Sequence, residues 1–393
     1  MVPNIINFKM IAKRVKEIPF SGIRKFFELV QKSEGIVSLG VGEPNFPTPE
    51  ALKNDAIQAI RSDHSCYTSN YGMPQLRERI AKKLKDVNGV DRNPEDEILI
   101  TVGVSEALDL AIRAILDPGD EVIIPDPSYV SYKPNVWFAY GEPVAVPTTE
   151  ENEFRVQVED IEKKITEKTK AIIIPSPNNP TGSIMRKKDL EDVADMVMEH
   201  DLLAISDEIY EELIYDGEKH YSIGSFNGME DRTITLNGFS KAYAFTGWRL
   251  GYAAGNSEII EAMMKIHQYT IMCAPTVSQY AALNAFEQEE PVREMVKEYD
   301  VRRKLLVKGL NDLPGISCIM PKGAFYTFPN IKETGMGSED FAERLLTDGK
   351  VAVVPGNTFG EAGEGHVRCA YCVSREAISE ALERMDRFMR SLK

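Results

Sequence analysis

Short, almost wholly apolar runs alternate with segments of helical periodicity through the middle of this 393-residue chain. The runs occupy residues 98–102, 121–124, 171–174, 202–206, 233–237 and 249–254. A helical pattern at 105–116 and the turn Asp117-Pro118-Gly119-Asp120 separate the first two runs. Strands that are apolar on both faces are typical of a mainly parallel sheet covered by helices on each side. We therefore predict an α/β fold of this kind.

The sequence pattern changes after residue 282, where long charged helices are predicted at 291–310 and 375–392. Short strands are predicted around Phe325 and Val351. We predict a smaller α+β domain at 283–393, with residues 1–45 joining it. The large ligand-binding domain is then predicted at 46–282.

Charge and composition exclude several classes of function. The formal charge is 46 − 61 = −15, which disfavours binding to nucleic acid or to an anionic membrane. We expect no signal peptide and no membrane span, because no apolar run approaches about 20 residues. Five scattered cysteines fit a reducing cytoplasm. We predict no metal at Cys369 and Cys372, since residues three apart on the expected strand 367–373 face opposite ways.

Glycine-rich and polar clusters follow the apolar strands, and in a parallel sheet ligands bind beyond the strands' carboxyl ends. The clusters are Gly103-Val104-Ser105, Pro127-Ser128-Tyr129, Asn178-Asn179-Pro180-Thr181-Gly182, Asp207-Glu208-Ile209-Tyr210 and Gly238-Phe239-Ser240-Lys241. One cluster alone would be weak evidence. Their convergence at one sheet edge predicts a binding site there.

Each of these residues has an ordinary structural explanation beside the functional one. Gly103-Val104-Ser105 opens a helix, where a phosphate or simply a serine cap would be satisfied. Asp207 follows a buried strand and either pairs with a cation or caps a helix. Lys241 is either a reactive amine or a solvated surface lysine. Arg249, eight residues later, has the forked donor geometry that suits a phosphate.

The segment Asn237-Gly-Phe-Ser-Lys-Ala-Tyr-Ala-Phe-Thr-Gly-Trp-Arg-Leu-Gly251 resembles the cofactor-lysine signature of class I/II aminotransferases. The resemblance runs nearly end to end. It includes Gly40-Val-Gly-Glu-Pro44, Tyr67 with Gly72, the Asn-Pro-Thr-Gly run, Ser206-Asp-Glu-Ile-Tyr210, and Arg368 after Gly365. The texture is most similar to archaeal aromatic and aspartate aminotransferases. The resemblance implies a fold-type I architecture with a seven-stranded sheet, and pyridoxal 5'-phosphate as cofactor.

The resemblance also implies roles around the cofactor ring. Lys241 would bond to the cofactor and then move the substrate proton. Asp207 would pair with the ring nitrogen. Tyr210 and Asn179 would hydrogen-bond the ring hydroxyl, and Tyr129 would stack on the ring. A cis bond is expected between Asn179 and Pro180.

The phosphate would be held, by the same resemblance, by the amides of Val104 and Ser105, by Ser240 and by Arg249. Tyr67 would reach the phosphate bound to the neighbouring subunit of a homodimer. Two positions depart from the family pattern. Val104 stands where relatives often have glycine, and Gly238 stands where some have a phosphate-binding serine.

The substrate α-carboxylate would be clamped by Arg368, assisted by Asn179 and the backbone of Gly40. Residues expected near the side-chain pocket are Phe20, Ser21, Gly22, Tyr269, Phe325 and Tyr326. A distal carboxylate could be met by Arg24, or by hydrogen bonds from Ser21 and Tyr269.

The function implied is transfer of an amino group from an aromatic amino acid or aspartate to 2-oxoglutarate in ping-pong order. Two alternatives stay open at this point. A pyridoxal-phosphate β-lyase would use Lys241 and Asp207 but release ammonia without a second keto acid. The second alternative is a catalytically silent ligand sensor. Such sensors occur fused to DNA-binding modules, and because no basic arm is present this alternative is disfavoured. A NAD-dependent dehydrogenase is disfavoured, because no GxGxxG follows a strand.

Overall fold

The computed structural model describes residues 11–20, 22–23 and 35–392. The strands are β1 (Val37–Ser38), β2 (Ile98–Thr101), β3 (Glu121–Asp126), β4 (Glu142–Pro147), β5 (Thr169–Pro175), β6 (Leu203–Asp207), β7 (Thr233–Gly238), β8 (Gly251–Ala254), β9 (Tyr326–Thr327), β10 (Val351–Ala352), β11 (Val354–Pro355) and β12 (Val367–Ala370). The α-helices are α1 (Lys13–Glu17), α2 (Glu50–Arg61), α3 (Pro74–Lys83), α4 (Gly103–Ile115), α5 (Tyr132–Phe138), α6 (Val158–Glu162), α7 (Lys187–Glu199), α8 (Ser257–Thr270), α9 (Thr276–Ala282), α10 (Glu289–Asn311), α11 (Ser338–Thr347) and α12 (Arg375–Ser391).

The central sheet has seven strands in the order β2-β8-β7-β6-β5-β3-β4. The pairs within β7-β6-β5-β3-β4 are all parallel, whereas β8 runs antiparallel to both β2 and β7. The prediction of a mainly parallel, seven-stranded sheet is therefore confirmed. Because β8 is reversed, its amino end lies at the edge where the parallel strands have their carboxyl ends.

Several predicted boundaries were wrong, and three of them bear on the site described below. The strand expected to begin at Arg249 begins at Gly251, because Arg249 has φ 54°, a left-handed conformation that a strand cannot contain. The helix expected from Ser105 begins two residues earlier, at Gly103. The strand expected over 367–373 ends at Ala370, so Cys372 lies beyond it.

The apolar pattern of the strands matches their burial. Every residue of β2, β7 and β8 is buried, and so is every residue of β6 after Leu203. Separate hydrophobic clusters cover the two sides of the sheet, one of them built on Ala107, Leu108 and Ala111 of α4. Within the described residues, no helix combines the length and apolar character needed to cross a membrane.

The segments that precede and follow the central sheet in the sequence meet in a further hydrophobic cluster. It joins Leu39 to buried residues of α10, α11, α12 and the short strands between them. The β1 strand pairs in parallel with β10, with Val37 opposite Val351. This packing agrees with an N-terminal segment that joins the C-terminal unit. The domain boundaries after residues 45 and 282 stay a prediction.

Candidate active site

A cavity of about 540 Å³ opens at the edge where β3, β5, β6 and β7 end and β8 begins. It is lined by ten of the residues to which the resemblance gave cofactor or α-carboxylate roles: Val104, Ser105, Tyr129, Asn179, Asp207, Tyr210, Ser240, Lys241, Arg249 and Arg368. The convergence of the strand-end clusters on one site is therefore present in the structure.

Lys241 follows the end of β7 by three residues, and its side chain lines this cavity. Its Nζ donates a hydrogen bond to the carbonyl oxygen of Gly42 at 3.1 Å. Burial lowers the pKa of the Lys241 amine to about 8, and the nearby guanidiniums of Arg368 and Arg249 act in the same direction. Roughly a tenth of this lysine is thus an unprotonated nucleophile at pH 7, far more than for a lysine of ordinary pKa.

Asp207 ends β6 and faces the same cavity with its carboxylate buried. Its Oδ2 accepts a hydrogen bond from the Tyr132 hydroxyl at 2.8 Å, and its Oδ1 accepts one from the Ile209 amide at 3.3 Å. Burial nevertheless raises the pKa of Asp207 to about 6, against the opposing effect of these hydrogen bonds. Because burial disfavours the charged form of this carboxylate, a cationic partner in the cavity would stabilise it.

Tyr132 was missed by the sequence analysis. It is the first residue of α5, is almost fully buried, and also lines the cavity. The ring of Tyr129 meets it edge-on, with centroids 5.7 Å apart. The only sequence signal is the spacing of three between the two tyrosines, which brings them to one side of a turn.

An anion-binding cradle forms where the thirteen-residue helix α4 begins. The Arg249 guanidinium reaches this helix start, donating to the Thr246 carbonyl at 2.9 Å and lying 3.5 Å from the Val102 carbonyl. Gly103 has φ 75°, and a Cβ there would lie 2.7 Å from Arg249 Nη2. Free helix amides and a guanidinium directed at one point are the features that hold a phosphate.

One of the two departures from the family pattern, Gly238, has a steric explanation. A Cβ placed on Gly238 would lie 2.8 Å from the Gly251 Cα and 3.3 Å from Cγ2 of Val104. A serine at 238 therefore has no room, chiefly because the backbone at the start of β8 passes so close.

Arg368, on β12, is buried and held from several sides. It donates to Asn179 Oδ1 at 2.9 Å and to the Gly40 carbonyl at 2.7 Å. Its guanidinium carbon lies 4.4 Å from the ring centre of Tyr326 and 4.9 Å from that of Phe359. The buried Nε has no hydrogen-bond partner among the described residues. Donors of this fork therefore remain available for a carboxylate.

Asn179 and Tyr210 stand beside this arginine. The peptide bond between Asn179 and Pro180 is cis, as predicted. The Tyr210 hydroxyl is hydrogen-bonded to that of Tyr326 at 2.9 Å. Gly40 contributes its carbonyl to Arg368 but does not line the cavity, whose neighbouring wall is Val41, Gly42 and Glu43.

Several residues that were expected near a substrate or cofactor do not line the cavity in the part of the chain that the structure describes. Phe20 and Tyr269, expected near the side-chain pocket, are 95% and 87% exposed and do not line the cavity. Tyr67, expected at the phosphate of the neighbouring subunit, is 78% exposed and does not line it either. Gly22 is also outside the lining, whereas Tyr326 is part of it. Phe325 lies behind Lys241, with its ring centre 5.6 Å from Nζ. Ser21 and Arg24 lie outside the described residues.

A buried polar network lies next to Asp207 and has the composition of a metal site. Ligand atoms of Glu208, Glu211 and His220 lie within 4.8 Å of one another. Glu211 pairs instead with Lys83, and Glu208 accepts from His220 at 3.0 Å. Burial lowers the pKa of His220, but the two carboxylates raise it more, so its pKa lies above the ordinary value. The protein thus supplies its own cations to this network.

The arrangement of charges fits pyridoxal phosphate, the cofactor expected from the sequence. Its phosphate matches the cradle of Gly103 and Arg249, and its protonated ring nitrogen matches the buried Asp207 carboxylate. Its aldehyde needs an amine of low pKa, which Lys241 provides. Three separate groups of the cofactor thus find a complementary group in one cavity.

Comparison with known proteins gives one consistent result. The sequence model of the family "Aminotransferase class I and II" matches residues 34–385. An aspartate aminotransferase of Pyrococcus abyssi is 51% identical over 95% of this chain and 96% of its own. An aromatic-amino-acid aminotransferase of Thermococcus litoralis is 47% identical over 98% and 99%. The crystal structure of an aromatic aminotransferase from Pyrococcus horikoshii superposes with a TM-score of 0.90 at 49% identity, over 94% of this chain and all of that one.

Proposed function

Because the chain belongs to the class I and II aminotransferase family, whose members depend on pyridoxal phosphate, we propose the following reaction. The amino group of an aromatic L-amino acid or aspartate is transferred to 2-oxoglutarate in ping-pong order, with the aromatic donors preferred. Aminotransferases named for both kinds of donor lie at similar identity, so the names of relatives do not decide between them.

The chemistry depends on moving one proton. Pyridoxal phosphate, when bound, withdraws electrons from the substrate Cα and so makes its proton removable. Asp207 keeps a proton on the ring nitrogen by placing a buried negative charge beside it. Lys241 Nζ, with its lowered pKa, would accept the Cα proton and return it to the cofactor's aldehyde carbon, on the other side of the substrate nitrogen. Arg249 and the start of α4 fix the phosphate, and Arg368 fixes the substrate carboxylate.

The preference for an aromatic donor rests on the cations of the cavity. Among the described lining residues these are Lys241, Arg249 and Arg368, and each already has a role. None of the three is left for the distal carboxylate of aspartate, which, like that of 2-oxoglutarate, would depend on a cation outside this set. The remaining wall is largely apolar or aromatic and includes Ile23, Val41, Leu108, Tyr129 and Tyr326. An unpaired buried carboxylate costs several kcal/mol, whereas an aromatic ring gains from burial in such a pocket.

The direct experiment measures single-turnover half-reactions of the holoenzyme with phenylalanine, tyrosine and aspartate. The proposal expects the two aromatic donors to react faster than aspartate, and 2-oxoglutarate to complete the cycle. Ammonia released without any keto acid would instead indicate elimination. Activity confined to alanine or to a diamino acid would contradict the proposed pocket but not the chemistry.

The acceptor needs a cation for its far carboxylate, and Arg24 is the residue we propose for it. Arg24→Met should slow the half-reaction with 2-oxoglutarate about tenfold or more and leave that with phenylalanine within about twofold. Lys13→Met, which removes an exposed cation from α1, is the matched control. Equal slowing of both half-reactions would exclude this role for Arg24.

A homodimer with shared active sites is part of the proposal, with Tyr67 completing the partner's phosphate site. The exposure of Tyr67 in the single chain supports this. A mixed dimer of Tyr67→Phe and Lys241→Ala chains should then contain one site without either lesion. That site should bind pyridoxal phosphate as tightly as the wild type does. Weakened binding at the site that keeps Lys241 would instead indicate that Tyr67 acts within the site of its own subunit.

The protein is proposed to work in the cytoplasm. All five cysteines are free thiols, as a reducing compartment favours.

A further inference from the structure

The Val41–Glu43 wall (Val41, Gly42 and Glu43) forms one side of the active-site cavity without belonging to a helix or strand. A Cβ on Gly42 would lie 2.4 Å from the Tyr326 hydroxyl, so only glycine allows the wall to pack this closely. At its far end, the Glu43 carboxylate accepts a hydrogen bond from Thr246, another residue of the cavity. The wall therefore runs from the substrate side of the site to the phosphate side.

The backbone just before this wall is attached to β12. The Ala370 amide donates to the Leu39 carbonyl at 2.6 Å. The Arg368 guanidinium donates to the Gly40 carbonyl at 2.7 Å. Both contacts hold the chain leading into the wall, and neither holds the wall itself.

The next two carbonyls, those of the wall, are held by side chains alone. The Cys372 thiol donates to the Val41 carbonyl with a sulfur–oxygen distance of 3.0 Å. Lys241 Nζ donates to the Gly42 carbonyl at 3.1 Å. Four consecutive carbonyl groups, those of residues 39–42, are thus held by four different donors, and the last two of these carbonyls belong to the wall.

The two donors differ in when they are available. Lys241 holds Gly42 as a free amine, but it is also the nitrogen proposed to bond to the cofactor. That bond leaves its nitrogen with fewer hydrogens to donate. Cys372 takes no part in the proposed chemistry. Burial raises the pKa of its thiol to about 11, so it remains a neutral S–H donor near neutral pH.

We propose that Cys372 is a positioning residue that holds the Val41–Glu43 wall in place while Lys241 is bonded to the cofactor. This role gives a function to Cys372, one of the two cysteines at which the sequence predicts no metal. The other, Cys369, is fully buried in β12 within the hydrophobic cluster of the C-terminal unit. The inference rests on the proposed function only in assigning the cofactor bond to Lys241.

The first test compares hydrogen exchange of the wall in apoenzyme and holoenzyme. In the Cys372→Ala holoenzyme, amides of residues 41–43 should exchange about fivefold faster than in the wild type. In the apoenzyme, where Lys241 still holds Gly42, the same variant should change exchange less than about twofold. Equal acceleration in both forms would show a merely structural role and overturn the proposal.

The second test uses steady-state kinetics with matched variants. Cys372→Ala should raise the amino-acid KM about threefold with little change in kcat, because a displaced wall weakens substrate binding. Cys372→Ser, which keeps a donor, should restore KM towards the wild-type value. Cys369→Ala is the control for loss of a buried thiol and should leave KM unchanged. A KM rise in the Cys369 variant, or none in Cys372→Ala, would contradict the proposal.

Failure of the proposed function would look different from failure of this inference. If Lys241 did not bond to the cofactor, the wild-type holoenzyme would itself show no loss of the Gly42 contact. If the preferred donor were aspartate, the exchange experiment would be unaffected.

Discussion

The hydroxyl of Tyr132 donates a 2.8 Å hydrogen bond to Oδ2 of Asp207, and both groups are buried in the cavity wall. The bond favours the ionised form of the carboxylate, which burial disfavours. Tyr132 thus acts on the cofactor ring through Asp207 and is a positioning residue in the proposed mechanism.

Replacing Tyr132 by phenylalanine should weaken cofactor binding. Loss of a hydrogen bond to a charged group corresponds to roughly a tenfold higher Kd for pyridoxal phosphate. Titration of the apoenzyme measures this. The control is Tyr215→Phe, which removes another buried hydroxyl, bonded to the Ala324 carbonyl at 2.6 Å. Similar losses in both variants would indicate a general packing effect.

Replacing Asp207 by asparagine should stabilise the apoenzyme at pH 8 while weakening cofactor binding. The folded-state pKa of about 6 lies above the ordinary value of 3.8, so ionising Asp207 opposes folding as pH rises through this range. The free energy of unfolding of the variant should exceed that of the wild type by about 3 kcal/mol at pH 8. Urea unfolding at pH 8 and pH 4.5 should show this gap closing at the lower pH. A gap that does not depend on pH would disagree with the burial argument.

The lowered pKa of Lys241 predicts a distinctive labelling profile in the apoenzyme. Reaction of Lys241 with trace amounts of an amine reagent should reach half its maximum near pH 8, because burial favours the neutral amine. The exposed Lys265 is an internal control, since its hydrogen bond to Glu261 raises its pKa above the ordinary value. Peptide mapping separates the two sites. Parallel profiles for the two lysines would refute the prediction.

Arg368→Gln should impair every amino-acid substrate without removing the cofactor. Losing a buried charged donor to a carboxylate lowers kcat/KM roughly 100-fold or more. The absorbance of bound cofactor should persist, since Arg368 is proposed to contact only the substrate. Stopped-flow half-reactions with phenylalanine and aspartate should both slow. Loss confined to one substrate would mean that Arg368 reads the side chain instead.

The sequence predicted those parts of the site that lie at strand ends. Asp207 and Lys241 were identifiable because buried parallel strands bring their carboxyl ends together. Arg249 was assigned to a strand that begins only at Gly251, since its left-handed backbone leaves no mark in an apolar pattern. Its position at the same sheet edge follows from the antiparallel direction of β8.

Other parts of the site depend on contacts between distant segments and could not be predicted from local pattern. Tyr132 is an ordinary tyrosine until the fold places α5 beside the end of β6. The contact of Cys372 with Val41 joins residues 331 positions apart. Phe20 and Tyr269 have the right chemistry for a pocket but are exposed and do not line the cavity in the single chain.

The covalent attachment of the cofactor to Lys241 is the central claim, and borohydride reduction of the holoenzyme tests it most directly. Reduction makes the bond permanent, and peptide mapping by mass spectrometry then locates the phosphopyridoxyl group. The structure predicts a single labelled peptide containing Lys241, and no labelling of that peptide in Lys241→Ala. A label on another lysine of the wild-type holoenzyme, or none at all, would contradict the account.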